Sequence, residues 1–164
     1  MSAIGITKLD SKNDSFSVAG LTPMGMTLFK IKMEKGKVIS SFVMPQFGAD
    51  DLNKTADMIS KDIARIYFNR KIKFSKKSFE HKKFVIIINT ESDIKKYKFT
   101  FGGRPLKLIT KSMYENKKKI WSVDYYDYQK INTREIPFKI FFKNYKYGYT
   151  LEVETKEIKR ELIK

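Results

Sequence analysis

The sequence predicts a mainly β (α+β) protein with one long helix, and three observations support this prediction. Short runs of alternating apolar and polar residues recur along the chain, and turn-forming residues separate them. Only one segment has its apolar residues at helical spacing. The 164 residues are 41% hydrophobic and 14% aromatic, which is enough apolar surface to form a core. We therefore expect a single domain over residues 1–164.

The strands are predicted from alternation and from the turns between them. Between residues 26 and 33, Phe29 and Ile31 fall on one face of a strand and Lys30 and Lys32 on the other. Proline and glycine residues mark the turns that separate such strands. The predicted strands are 15–20, 26–33, 38–44, 79–89, 94–101, 106–113, 118–129, 136–142 and 145–155. The tail from residue 156 is either a tenth strand or a helical turn.

Residues Asp51 to Arg70 form the exception to the strand pattern. The apolar positions Leu52, Ala56, Ile59, Ile63, Ile66 and Tyr67 recur every three or four residues and make an amphipathic helical stripe. Asp50 or Asp51 is suited to cap the first turn, and Arg65 is suited to the negative end of the helix dipole. The spacing therefore predicts a helix of about five turns.

A sheet of about ten strands must curl or split, and one amphipathic helix is too small to cover a whole face of it. The chain can close the sheet around the helix, or leave a trough that the helix partly fills. We expect a curved antiparallel sheet or an unclosed β-barrel, with the helix plugging the concave face. The second arrangement leaves an apolar cavity.

The net charge of +16 is concentrated in one part of the chain. Residues 61–149 carry a net charge of +15, whereas residues 1–60 carry +1. Only five of the 34 basic residues are arginine, the residue that specific base and phosphate readers prefer. The excess of lysine is compatible with a plain compositional bias, with an anionic lipid surface or with nucleic acid.

Enzyme chemistry finds little support in the residues. The chain has no cysteine, and its single histidine, His81, lies in a charged run that is typical of a solvated strand edge. Gly102 and Gly103 precede a proline and a strand, so they do not form a phosphate-binding loop at a helix start. Glu152 and Glu154 share a strand face, which the polar side of a half-exposed strand explains without catalysis. We expect no catalytic residue, no metal and no cofactor.

The aromatic and methionine residues of the chain favour the binding of an apolar ligand over catalysis. The chain has 13 Phe, nine Tyr, seven Met and one Trp, and side chains of this kind repack around flexible acyl chains. Lysine alternates with aromatics at 96–99 and at 143–147, as in single-strand nucleic-acid platforms. In a strand, however, alternation places the aromatic rings on one face and the lysines on the other.

The segments 16–29, 124–128, 136–140 and 148–153 resemble segments of an uncharacterised bacterial lipoprotein family related to the lipoprotein-sorting proteins LolA and LolB. Phe16–Phe29 contains GLTPMGMTLF, which is similar to the family pattern G-L-[ST]-P-x-G-x-x-L-F. The helix at 51–70 follows it in the same order. Asp124–Tyr128, Ile136–Ile140 and Gly148–Val153 are similar to the Y-x-D-Y and [LI]-P-x-K-[IL] ending of that superfamily.

The resemblance implies an unclosed antiparallel barrel whose concave apolar face receives acyl chains, in the envelope of a double-membraned bacterium. Some relatives are associated with envelope lipid production. Members are often anchored by a lipidated N-terminal cysteine, which this sequence lacks together with a signal peptide. We therefore expect a truncated start and a location in the periplasm or on the periplasmic face of the outer membrane, as a lipoprotein.

We predict a non-enzymatic carrier that binds lipid or lipoprotein acyl chains in an apolar trough. Its expected partners are a lipid or acylated protein and the anionic head groups of the inner leaflet of the outer membrane. We expect a monomer with no nucleic-acid partner. The predicted lining, chosen by strand alternation and helix stripe, is Phe29, Ile31, Phe42, Met44, Ile59, Ile63, Ile66, Trp121, Tyr125, Phe138 and Ile140.

Two alternatives remain open. One is a structural or scaffolding envelope domain with a filled core and a protein partner. The other is single-strand nucleic-acid binding, which requires lysines on the same face as Tyr97, Phe99, Tyr145 and Tyr147.

Overall fold

The computed structural model describes residues 4–10, 12–45, 51–68, 76–82, 85–91 and 94–158. Contacts along the chain divide it into two compact units, residues 1–70 and residues 71–164. The described residues of the first unit form β1 (Ile4–Asp10), β2 (Ser15–Leu21), β3 (Thr27–Glu34), β4 (Lys37–Val43) and α1 (Leu52–Tyr67). Those of the second unit form β5 (Lys76–Lys82), β6 (Val85–Glu91), β7 (Lys95–Gly102), β8 (Lys107–Glu115), β9 (Lys118–Ile131), β10 (Arg134–Asn144) and β11 (Tyr149–Glu154).

The first unit is a four-stranded antiparallel sheet with α1 packed against β3 and β4. The strands follow one another in the order β1-β2-β3-β4, so every connection is a hairpin. The sheet and the helix stripe bury a common hydrophobic core between them. Its buried members are Phe16, Val18, Ile31, Met33, Val43, Ala56, Ile63, Ala64 and Phe68.

The helix begins where the sequence predicts. The Asp51 carboxylate accepts hydrogen bonds from the backbone N–H groups of Asn53 and Lys54, both at 3.0 Å, and so satisfies two donors that the first turn leaves open. Those bonds from Lys54 to the Asp51 carboxylate lower the pKa of Asp51 below its ordinary value. Asp50 and Arg70 lie outside the described residues.

A β-bulge between β3 and β4 overturns the predicted face of Phe42. Lys32 pairs with Ser40 and Met33 with Val38, so Ile39 is an extra residue without a partner in β3. The extra residue reverses the alternation beyond it. Val43 is therefore buried in the core, whereas Phe42 pairs with Lys30 on the opposite face and is 50% exposed.

The second unit is a seven-stranded antiparallel meander in the order β11-β10-β9-β8-β7-β6-β5. One face, which we call the buried face, carries Val123 of β9 beside Phe142 of β10, both 0% exposed. The other, which we call the outer face, carries Ser122, Tyr126 and their partners Lys143 and Lys139.

The mainly β, antiparallel prediction with one helix is confirmed, but the arrangement differs from a single curved sheet. Eleven strands in the described residues form two sheets, each with two open edges. The long connection through α1 separates β4 from β5, so the strands on either side of the helix do not pair. A sheet of this size had to curl or split, and it splits.

Three predicted boundaries were wrong. Strand β1 was not predicted, because Ile4–Asp10 has weak alternation and its residues are almost all exposed. The predicted strand 79–89 is a hairpin, β5 and β6, because two strands that pair along their length had been read as one. Strand β11 begins at Tyr149 instead of residue 145, because residues 145–148 form a turn.

Candidate functional site

Most of the predicted lining residues of the first unit belong to its core. Ile31 and Ile63 are buried core members, and Phe29 and Ile59 are partly buried against them. Ile66 is also buried. Met44 is half-buried, and its backbone N–H donates to the carbonyl of Leu28 at 2.8 Å.

The predicted lining residues of the second unit come together on its buried face. Tyr125 pairs with Ile140 across β9 and β10, and both are buried. Trp121 is buried as well, with its ring edge-on to Tyr97 at 6.2 Å between ring centroids. Phe138 is half-buried two residues before Ile140 on the same strand.

Lys111 is a polar residue on this buried face that the sequence did not single out. It pairs with Val123 on one side and Phe99 on the other, and only 2% of it is exposed. Its Nζ lies 5.5 Å from the centroid of the Tyr125 ring. Burial lowers the pKa of Lys111 to about 7, because a charged amine loses its hydration there. Lys111 lies two residues before Met113, which is also buried, so strand alternation places both side chains on the same face.

The first unit also has a cavity of ≈ 510 Å³ between β4 and the first turns of α1. Its lining includes Lys37, Ser40, Ser41, Asn53 and Asp57. These side chains are mostly polar, and Asp57 already pairs with Lys61 one helical turn away. The cavity therefore does not correspond to the apolar trough that the sequence predicts.

The most distinctive surface lies at one end of the second sheet. We call it the lysine–tyrosine cluster, and it consists of Tyr114, Lys119, Lys143, Tyr145, Lys146 and Tyr147. Two ammonium groups approach the ring of Tyr145: Nζ of Lys143 lies 5.1 Å and Nζ of Lys119 lies 5.5 Å from its centroid. Lys119 also lies 5.8 Å from the centroid of Tyr114, so it bridges two rings.

Tyr147 extends the cluster into solvent. Its ring is 58% exposed, and Nζ of Lys146 lies 5.7 Å from its centroid. Tyr145 is 42% exposed. Cation–π contacts of this length are attractive by about 0.5–1 kcal/mol at exposed sites. They hold the lysines against the rings without neutralising their charge.

The turn between β10 and β11 fixes this arrangement. The buried Asn144 side chain accepts hydrogen bonds from the backbone N–H groups of Lys146 and Tyr147, both at 3.1 Å. The backbone N–H of Tyr145 donates to the carbonyl of Ile120 at 2.9 Å, which ties the turn to β9. Gly148 takes a φ of 70°, which glycine adopts readily. Asn144 precedes this turn and Gly148 ends it, and both residue types favour turns, so the sequence does contain a signal that predicts it.

This turn also explains where strand alternation holds and where it fails. At 96–99 Tyr97 and Phe99 lie on the buried face, while Lys98 lies on the outer face. At 143–147 the chain leaves the strand, so Tyr145 and Tyr147 are free to lie beside lysines.

Charge separates the cluster from the rest of the second unit. Residues 71–164 carry a net charge of +13, against +3 for residues 1–70. Two lysines elsewhere on the sheet have acidic partners: Lys139 pairs with Glu152 at 2.7 Å, and Lys107 pairs with Glu135 at 3.0 Å. Within the described residues, no carboxylate forms an ion pair with the three lysines of the cluster.

Searches for familiar features add no assignment. No group of three or more metal-ligating side chains is found in the described part of the chain. No helix among those residues is long and apolar enough to cross a membrane. Comparison with family models, with curated proteins and with solved structures finds no match to this chain.

Proposed function

We propose that this protein is a non-enzymatic lipid-binding protein that docks on an anionic lipid surface through the lysine–tyrosine cluster. The observation that carries the proposal is the juxtaposition of three lysines, without carboxylate partners among the described residues, and two exposed tyrosine rings. Lysines near an anionic leaflet each contribute about 1 kcal/mol of attraction, and tyrosine rings favour the head-group level of a bilayer.

The same residue types also occur where proteins bind single-stranded nucleic acid, but the geometry favours lipid. Base stacking requires open aromatic faces, and here Lys119 and Lys143 both lie against the ring of Tyr145. The aromatics with the best-formed strand register, Tyr97 and Phe99, are on the buried face. Lipid phosphates need only the ammonium groups and the phenol hydroxyl.

The acyl-chain prediction from the sequence is the second part of this proposal. An antiparallel sheet that buries Trp121, Tyr125 and Ile140 on one face supports it. The LolA/LolB-like relationship, the carrier role and the periplasmic side of the outer membrane are proposed on the sequence resemblance. Native mass spectrometry after purification from bacteria, with organic extraction, tests whether an acylated ligand is retained.

Vesicle co-sedimentation tests the docking surface. We expect binding to vesicles that mix phosphatidylcholine with phosphatidylglycerol, and little binding to phosphatidylcholine alone. Binding should weaken as salt is raised, because screening shortens the range of the lysine charges. Equal binding to both kinds of vesicle, or no binding to either at low salt, would contradict the proposal. Tighter binding to a mixed-sequence oligonucleotide than to the anionic vesicles would assign the cluster to nucleic acid instead.

A further inference from the structure

The ring of Tyr145 is the place where the cluster brings two positive charges together. Nζ of Lys143 and Nζ of Lys119 come from β10 and β9, yet both lie within 5.5 Å of the centroid of this one ring. The Tyr145 side chain is therefore flanked by positive charge from two strands. An anion bound at this side chain would be attracted by both ammonium groups.

We infer that Lys119, Lys143 and Tyr145 form a binding site for the phosphodiester of a lipid head group. The inference rests on the proposed function and deepens it, because it replaces a diffuse attraction to negative charge by one defined site. Two ammonium groups and a phenol hydroxyl supply donors for the two non-bridging oxygens of a phosphodiester.

The Tyr145 hydroxyl has a polar neighbour on β9. It lies 3.5 Å from Oγ of Ser122 on the outer face, a long contact in which either oxygen can donate. Ser122 itself is buried, so it holds the ring from below. A phosphate oxygen carries the negative charge that makes such a hydrogen bond short and strong.

The site is also preorganised by backbone contacts. The bond from Tyr145 N–H to the Ile120 carbonyl fixes the turn that carries Tyr145 against the strand that carries Lys119. The Asn144 side chain holds the next two residues of the turn. The backbone of the turn therefore needs little ordering when a ligand binds. Lys117 and Lys118, exposed in and after the neighbouring turn, add positive charge around the site.

A matched pair of double variants tests the site. K119Q/K143Q removes two charges at Tyr145, and K130Q/R134Q removes two exposed charges from β9 and β10 of the same sheet without touching that ring. The probes are vesicles containing phosphatidylglycerol and vesicles containing a carboxylate lipid, cholesteryl hemisuccinate, at equal surface charge. Circular dichroism and the fluorescence of Trp121 verify that each variant is folded.

We expect K119Q/K143Q to bind phosphatidylglycerol vesicles about thirtyfold more weakly than the unaltered protein, as two lost contacts of about 1 kcal/mol each imply. K130Q/R134Q should change the affinity by no more than about threefold, because these charges lie at the opposite end of β9 and β10 from the site. The unaltered protein should prefer the phosphate lipid to the carboxylate lipid, and Y145F should reduce that preference.

The outcomes separate the inference from the proposed function. Equal losses in the two double variants, or equal binding to both lipids, would overturn the site while leaving docking by general charge intact. Absence of vesicle binding by the unaltered protein would overturn both. Full competition by inorganic phosphate or glycerol 1-phosphate at micromolar concentration would show a free phosphate site and overturn the lipid assignment. Competition by a single-stranded oligonucleotide alone would overturn it in favour of nucleic acid.

Discussion

The two units differ in how one face of the sheet is buried. In the first, an amphipathic helix packs on the sheet and the buried positions of β2 and β3 are apolar, with Ile31 at the centre. In the second, described residues form strands and turns only, and the buried face includes Lys111 and Thr90 among its apolar residues. Both units therefore retain buried polar groups, but at different places: Ser60 and Asp62 lie on the helix of the first unit, and Lys111 and Thr90 lie on the sheet of the second.

The two units also differ in net charge and in the ion pairs that their lysines form. The first unit is close to neutral for its size, and its lysines on α1 pair with acids one turn away, as Lys61 does with Asp57. The second unit presents Lys119, Lys143 and Lys146 beside tyrosine rings. The lysine-rich composition alone did not distinguish these uses, because it is the position of the acids that decides whether a lysine is neutralised or presented.

The largest expected effect comes from the buried face of the second unit. Phe142→Ala should reduce the free energy of unfolding by about 4 kcal/mol, because it removes a fully buried ring and leaves a cavity. Its neighbour Phe141 is half-buried on the outer face, edge-on to Tyr126, so Phe141→Ala should cost about 1 kcal/mol. Urea unfolding followed by Trp121 fluorescence measures both. Equal losses of unfolding free energy in the two variants would contradict the assignment of Phe142 to the buried face and Phe141 to the outer face.

Lys111 makes the stability of the second unit depend on pH near neutrality. Because its pKa is lowered to about 7 from an ordinary 10.5, the unfolded chain binds more protons between these values. Stability should therefore rise with pH, by about 2 kcal/mol between about pH 7 and about pH 9. The K111M variant should lose this rise in urea unfolding measured across the same range. A variant whose profile matches that of the unaltered protein would place the pH dependence elsewhere.

A smaller effect tests packing in the first unit. A Cβ added at Gly20 would lie 2.3 Å from Cε1 of Phe29, whose ring covers this glycine, so Gly20→Ala should cost about 2 kcal/mol. Gly5 pairs directly with Gly20, yet a Cβ there meets nothing within 4 Å. Gly5→Ala should therefore be neutral or stabilising by about 0.5 kcal/mol. Thermal unfolding compares the two, and a destabilising Gly5→Ala equal to Gly20→Ala would contradict the local clash.

The sequence predicted what depends on local periodicity. The helix stripe, its Asp51 cap and most strands follow from spacing and turn residues, since each is set by neighbours in the chain. The face of Phe42 does not, because a single bulged residue, Ile39, reverses every position after it. Local periodicity also could not predict the division into two sheets, because the pairing partner of a strand depends on residues elsewhere in the chain.

The candidate site shows the same limit. Alternation correctly grouped Trp121, Tyr125 and Ile140 on one face of the second sheet. It missed Lys111, since a lysine at a buried position contradicts the simple pattern of apolar inside and polar outside. It also placed the lysines and tyrosines of 143–147 on opposite faces, whereas Lys143 and Lys146 lie against tyrosine rings at one end of the sheet.

The order of the strands has a consequence for biosynthesis. In both sheets each strand pairs with the strands immediately before and after it in the chain. Each pairing closes only a short loop, so its entropic cost is small and contact order stays low for a β protein. The nascent chain can therefore add one hairpin at a time as it leaves the ribosome, without waiting for a distant segment to be synthesised.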